Sequence, residues 1–79
     1  MAGLPQRLHK IDVQIGFRLK ELRKQSGVTQ LELGEVLGVA FQQIQRYEKG
    51  KNRLASSTLW KISQKLGVPI TWFFDDLEE

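Results

Sequence analysis

Apolar residues recur along this chain at helical intervals and nowhere alternate for long enough to make a strand. From Asp12, a plausible N-cap, Val13, Ile15, Leu19 and Leu22 mark the inner face of a first helix that Gly27 ends. Thr29 caps a second helix. Glu32 stands three residues on, the pattern of a capping box, and Leu33, Val36 and Leu37 form the apolar stripe. Gly38 stops it, because a left-handed residue is least strained as glycine. A third helix runs over 41–49 with Ile44 and Tyr47 inward, and Gly50 ends it. Ser56 or Ser57 caps a fourth, with Leu59, Ile62 and Leu66 inside and Gly67 at its end. After Pro69 a last short helix covers ITWFFDD. The pattern predicts an all-α fold, a compact bundle of five short helices around one core. Residues 1–11 read as a flexible N-terminal arm, 12–76 as the domain and 77–79 as an acidic tail.

Seventy-nine residues make one small domain, with no room for both a core and a deep catalytic pocket. The absence of cysteine excludes disulfides and thiolate metal sites. No apolar run approaches the roughly 20 residues that span a membrane, and MAGLPQRLHK lacks the apolar stretch of a signal peptide. A cytoplasmic protein is expected. His9, the single histidine, lies in the arm and reads as solvent-exposed, and lone Ser and Thr residues fit helix caps. The acids of DDLEE read as a solvated tail rather than a metal cluster. No catalytic residue, metal, cofactor or small-molecule ligand is therefore expected.

Charge changes the picture through its placement. The formal net charge is +3, and setting aside the four acids of DDLEE leaves +7 on the rest. Arg46 to Arg53 holds four bases and one acid. Alone, such a run is an ordinary solvated face. Directly after helix three, it suggests a polyanionic partner.

Segment 29–50 meets the steric demands of a helix-turn-helix. Two helices that cross closely need a small residue early in the first, and Gly34 sits there. The turn needs positive φ, which Gly38 supplies, and Ile44 plugs the angle between the helices. With Ile44 and Tyr47 inward, Phe41, Gln42, Gln45 and Arg46 point outward or sideways. Gln can pair with adenine N6 and N7, and Arg with guanine O6 and N7. Phe41 fits either a thymine methyl or packing against helix two. Gln43, nearer the inter-helix side, is expected at phosphate.

These residues resemble the Cro/repressor-type helix-turn-helix family, often called XRE-type, whose fold is the lambda-repressor-like DNA-binding domain. The matching stretches are RLKELRKQSGVTQLELGEVLGV, FQQIQRYEKGKNR and LWKISQKLGV, within a segment from Ile15 to Phe74 that is about three-quarters of the chain. The run FQQIQRYEKGKNR most resembles a branch abundant in alphaproteobacteria. The resemblance implies base contacts at Phe41, Gln42 and Arg46, with Gln45 on the same face. It implies that Gln30 bonds a phosphate and braces helix three, with Thr29 beside it at the backbone. Lys49, Lys51, Asn52 and Arg53 match the loop that grips the sugar-phosphate chain. Arg23 and Glu48 match an ion pair joining helix one to the end of helix three. The chain departs from the family pattern at Gly34, where alanine is usual, at Leu54 for proline, at Ser63 for alanine and at Phe41 for a polar residue.

One short helix reads only about four or five base pairs, so such proteins usually dimerise on a pseudo-palindrome with half-sites about 34 Å apart. The expected function is that of a sequence-specific transcriptional regulator, a repressor of bacterial or phage origin that binds double-stranded DNA as a homodimer. Trp60, Trp72, Phe73 and Phe74 are the candidates for the dimer surface, with one of the three consecutive aromatics belonging to the core. No sensing segment follows helix five, so regulation would come from abundance, a partner or a longer parent chain. The alternative is a protein-interaction module, such as an antitoxin or a transcription-bridging domain.

Overall fold

The computed structural model describes residues 4–78, with side chains from Lys10 onward. Four α-helices occur in chain order: α1 Leu4–Gln25, α2 Gln30–Leu37, α3 Phe41–Glu48 and α4 Ser56–Leu66. The fifth expected helix is a 3-10 helix, Ile70–Phe74. There is no strand among the described residues.

Helix α1 begins eight residues before Asp12, so that residue lies inside the helix and caps nothing. The boundary expected between 11 and 12 is therefore not a structural one. Pro5 is compatible with this earlier start. It sits in the first turn, where its missing N–H has no helical partner to lose. Residues 1–3 of the expected arm and the side chain of His9 lie outside the described residues.

The capping box at Thr29 is complete. Thr29 Oγ1 accepts from the Glu32 amide at 3.0 Å, and the Glu32 carboxylate accepts from the Thr29 amide at 3.0 Å. Both Thr29 contacts lower the Glu32 pKa below its usual 4.5, the backbone bond first and the side-chain bond second. A depressed carboxylate stabilises the fold above its unfolded pKa, and that stability is lost as pH falls through the lower folded value. Acid titration of Glu32→Gln is therefore expected to show a flatter loss of stability below about pH 4.5 than the parent chain. Equal acid sensitivity would count against an ionised cap.

Gly38 adopts φ 72° and closes α2, so the chain reverses into Ala40 and enters α3. Helix α4 starts at Ser56 with Ala55 as its boundary residue and no side-chain cap, unlike the serine cap expected. Leu54 is drawn against the core, which leaves Ala55 extended and carries Ser56 into the first turn.

Leu19, Leu22, Leu33, Ile44, Leu59, Ile62 and Phe73 form the buried core. Helix α3 packs on α1 and α2, and the 3-10 helix closes the base against α1 and α4. Two expected core positions face outward. Val36 is 52% exposed, because α2 turns its Leu33–Gly34–Leu37 side inward and carries Val36 past the edge. Val13 is 39% exposed but lies directly against Gly50. Phe73, a candidate for the dimer surface, is fully buried instead. Successive residues of a 3-10 turn point about 120° apart. Of Trp72, Phe73 and Phe74, the middle one takes the core. Trp72 meets it edge-on with ring centroids 5.2 Å apart, and Phe74 faces outward.

Gly16 decides how closely α1 and α3 approach. A Cβ there would overlap the carbonyl oxygen of Tyr47, a backbone atom of α3. Gly16→Ala would regain about 1 kcal/mol of helix propensity. It would still have to push α3 away, and the net expectation is a destabilisation of about 1–3 kcal/mol by urea denaturation. Unchanged stability would mean that the two helices can separate without strain.

Candidate nucleic-acid interface

Helix α3 stands between two supports and shows its remaining side to solvent. Ile44 is fully buried and Tyr47 half-buried, which anchors one face. The other face carries exposed Phe41, Gln42 and Arg46, with Gln43 and Gln45 half-buried at its edges. Arg46 follows Gln42 by four residues, so the two share one side of the helix. A helix with its side chains is about 10–12 Å across, which suits a channel about 12 Å wide.

The end of α3 is fixed by a buried carboxylate. Glu48 Oε2 accepts from Arg23 Nε at 2.6 Å, and Oε1 accepts from Arg23 Nη2 at 3.1 Å. The side chains of Arg23 and Glu48 are 10% and 3% exposed. Arg23 Nη1 donates to the Val28 carbonyl at 3.0 Å, and Gln30 Nε2 donates to Glu48 Oε1 at 3.0 Å. One carboxylate thus ties α1, the α1–α2 turn and the start of α2 to the tip of α3. Among the described residues no buried side-chain polar atom lacks a partner.

This sequestration also shapes the electrostatics. Glu48 is the sole acid of α3, and it is withdrawn from the surface. The exposed face and the loop after it present Arg46, Lys49, Lys51 and Arg53 without an acid of their own. Lys49, Lys51, Asn52 and Arg53 are all exposed. Gly50 turns the loop at φ 70°, and a Cβ there would lie 2.6 Å from Val13 Cγ2, so the loop is pressed onto α1. Arg53 Nε donates to Asp12 Oδ2 at 3.0 Å.

Thr29 is exposed with its hydroxyl in the capping box, and Gln30 is half-exposed beside it. Trp60 is 55% and Phe74 45% exposed, whereas Trp72 is half-buried and Phe73 is internal.

Several contacts were not visible in the residue pattern. Arg18 donates through Nη1 to the Trp72 carbonyl at 3.1 Å and through Nη2 to the Asp75 carbonyl. The Gln14 side chain donates to the Glu78 carbonyl and accepts from its amide. The tail is thus held along α1 by main-chain contacts, while its acids Asp75, Asp76 and Glu78 are exposed as expected. Gly16 did carry a signal, since a lone glycine inside a helical pattern implies a packing reason. Among the described residues no cluster of His, Cys, Asp or Glu could hold a metal, and no helix is long and apolar enough to cross a membrane.

The sequence and the fold have parallels among known proteins. Residues 19–73 match the HTH_3 family, described as Helix-turn-helix. An HTH-type transcriptional regulator of Sinorhizobium medicae is 52% identical over 66 residues, which are 84% of this chain and 48% of that protein. A transcriptional regulator in the ATPase CF(0) region of Rhodospirillum rubrum is 44% identical over 71 residues, 90% of this chain and 66% of that one. The chain thus spans about half to two-thirds of the length of these relatives. The crystal structure of the restriction-modification controller protein C.AhdI from Aeromonas hydrophila superposes with a TM-score of 0.72. It is 26% identical and covers 78% of this chain and 94% of its own. The clp gene regulator ClgR from C. glutamicum gives a TM-score of 0.76 at 25% identity, over 81% of this chain and 83% of its own. The family match covers more than half of the chain, and several of the relatives are alphaproteobacterial. The chain belongs to the HTH_3, or XRE-type, helix-turn-helix family.

Proposed function

We propose that this chain is the DNA-binding unit of a sequence-specific transcriptional regulator, a repressor that acts in the cytoplasm as a homodimer. Helix α3 enters the major groove of a pseudo-palindromic site. The observation that carries this reading is the acid-free outer face of α3, held rigidly by Glu48 and continuous with the basic loop.

In this reading Gln42 and Arg46 pair with base edges, Gln45 assists from the edge, and Phe41 meets a thymine methyl. Lys49, Lys51, Asn52 and Arg53 hold phosphates on one side of the groove. Thr29, Gln30 and Gln43 hold them on the other. Phosphate contacts supply affinity and register, and base contacts supply preference. The chain works as a binding protein rather than an enzyme. Trp60 and Phe74, with the open side of Trp72, form the surface between two copies.

Selection from a random pool of duplexes tests the whole reading. An enriched inverted repeat with half-site centres about one helical turn apart is the expected outcome. Recovery of no common sequence, with binding set by salt alone, would instead favour a protein-interaction module.

A further inference from the structure

We propose that Asp12 is a positioning residue for the DNA backbone, aiming the guanidinium of Arg53 at a phosphate. The proposal rests on the DNA-binding reading above and assigns a role to a residue outside the helix-turn-helix.

Arg53 lies in an exposed loop, where a long side chain would otherwise sample many rotamers. Its Nε donates to Asp12 Oδ2 at 3.0 Å. The contact is lopsided. The Arg53 side chain is 57% exposed and that of Asp12 only 18%. Asp12 is thus set back against the protein, while more than half of the Arg53 side chain is open to solvent. The bond uses Nε alone, and neither Nη has another partner among the described residues. The free Nη1–Nη2 edge is the fork that matches two phosphate oxygens. A carboxylate meant to neutralise Arg53 would engage two N–H groups side by side, as Glu48 does with Arg23.

The mounting of Asp12 is firm. It lies one residue before Val13, against which Gly50 is pressed. Loop and helix are therefore in register where the pair forms. Ordering Arg53 in the free protein removes part of the entropy that DNA binding would otherwise lose. Asp12 carries a negative charge close to the docking surface, so charge alone predicts that removing it strengthens binding. Pre-orientation predicts the opposite sign, and the sign is what an experiment can read.

The test uses the full chain and a duplex recovered by selection, comparing Asp12→Ala, Asp12→Asn, Arg53→Ala and the double variant Asp12→Ala/Arg53→Ala. Asp12→Ala is expected to weaken binding about three- to tenfold despite making the protein more positive. Asp12→Asn keeps an acceptor for Nε and should recover most of the loss. Arg53→Ala should weaken binding and make the slope of affinity against salt shallower by about one. In the Arg53→Ala background, removal of Asp12 should cause no further weakening. Thermal midpoints should stay close to the parent value throughout, since an exposed pair adds little stability. Tighter binding by Asp12→Ala, or an equal loss with and without Arg53, would overturn the proposal. If Arg53→Ala weakens binding and Asp12→Ala does not, the role of Asp12 fails while the DNA reading stands. If no duplex is bound at all, both fall together.

Discussion

Replacing Glu48 with alanine is expected to destabilise the domain by about 3–5 kcal/mol, the usual cost of leaving a buried charge without its partner. Arg23 would lose two charge-assisted bonds, and Gln30 its acceptor, in a space nearly closed to water. A domain of this size shifts its Tm by about 4–8 °C per kcal/mol, so the variant should be largely unfolded at moderate temperature. Glu48→Gln offers a graded comparison. It keeps an oxygen acceptor but loses the charge, so it should fall between parent and alanine. Arg23→Lys should resemble the alanine variant more closely. An ammonium lacks the rigid fork that reaches both Glu48 oxygens and the Val28 carbonyl. Thermal and urea unfolding of the three variants would check the ranking. A loss below about 1 kcal/mol for Glu48→Ala would place the pair among ordinary surface contacts.

Loss of sequence preference with the fold intact is the expected result of Gln42→Ala/Arg46→Ala. Both side chains are exposed, so their truncation should change stability by no more than about 0.5 kcal/mol. Each bidentate base contact discriminates by about 1–3 kcal/mol. Losing both should reduce preference for the selected site by roughly 30-fold to 25,000-fold per half-site. Affinity for random duplex should fall far less, because Lys49, Lys51 and Arg53 remain to hold phosphates. Competition between selected and random duplexes at fixed salt separates the two effects. Parallel loss on both duplexes would mean that these side chains grip the backbone. No loss on either would remove α3 from the interface.

Local chemistry was legible in the sequence, and distant chemistry was not. Thr29 and Glu32 are three residues apart and meet in a capping box whatever the rest of the chain does. Gly38 and Ile44 follow from the sterics of one turn, and both stand where the pattern placed them. Arg23 and Glu48 are 25 residues apart, and only the family resemblance brought them together. The contact between Arg53 and Asp12 spans 41 residues, and that between Gln14 and Glu78 spans 64. Neither has a local signature, and the family pattern did not supply one.

Periodicity also ran out at the edges of faces. Val36 and Leu37 are equally apolar, and the tilt of α2 alone decides which is covered. The three consecutive aromatics showed that one must be internal, but the pitch of a 3-10 turn chose Phe73. The start of α1 was missed because Asp12 is a good capping residue in the wrong place. Its carboxylate is occupied by Arg53 rather than by a helix end.

The hydrogen bonds that clasp the chain's last described residues to α1 take hold of peptide groups only. Arg18 meets the carbonyls of Trp72 and Asp75, and Gln14 meets both polar atoms of the Glu78 backbone. Such a clasp is indifferent to spelling. Mutation is free to rewrite positions 75 and 78 in almost any letters, whereas position 76, at φ 58°, favours glycine, asparagine or aspartate, and Leu77 is half-buried. Proline at 78, which has no amide hydrogen to offer Gln14, is the letter it would refuse.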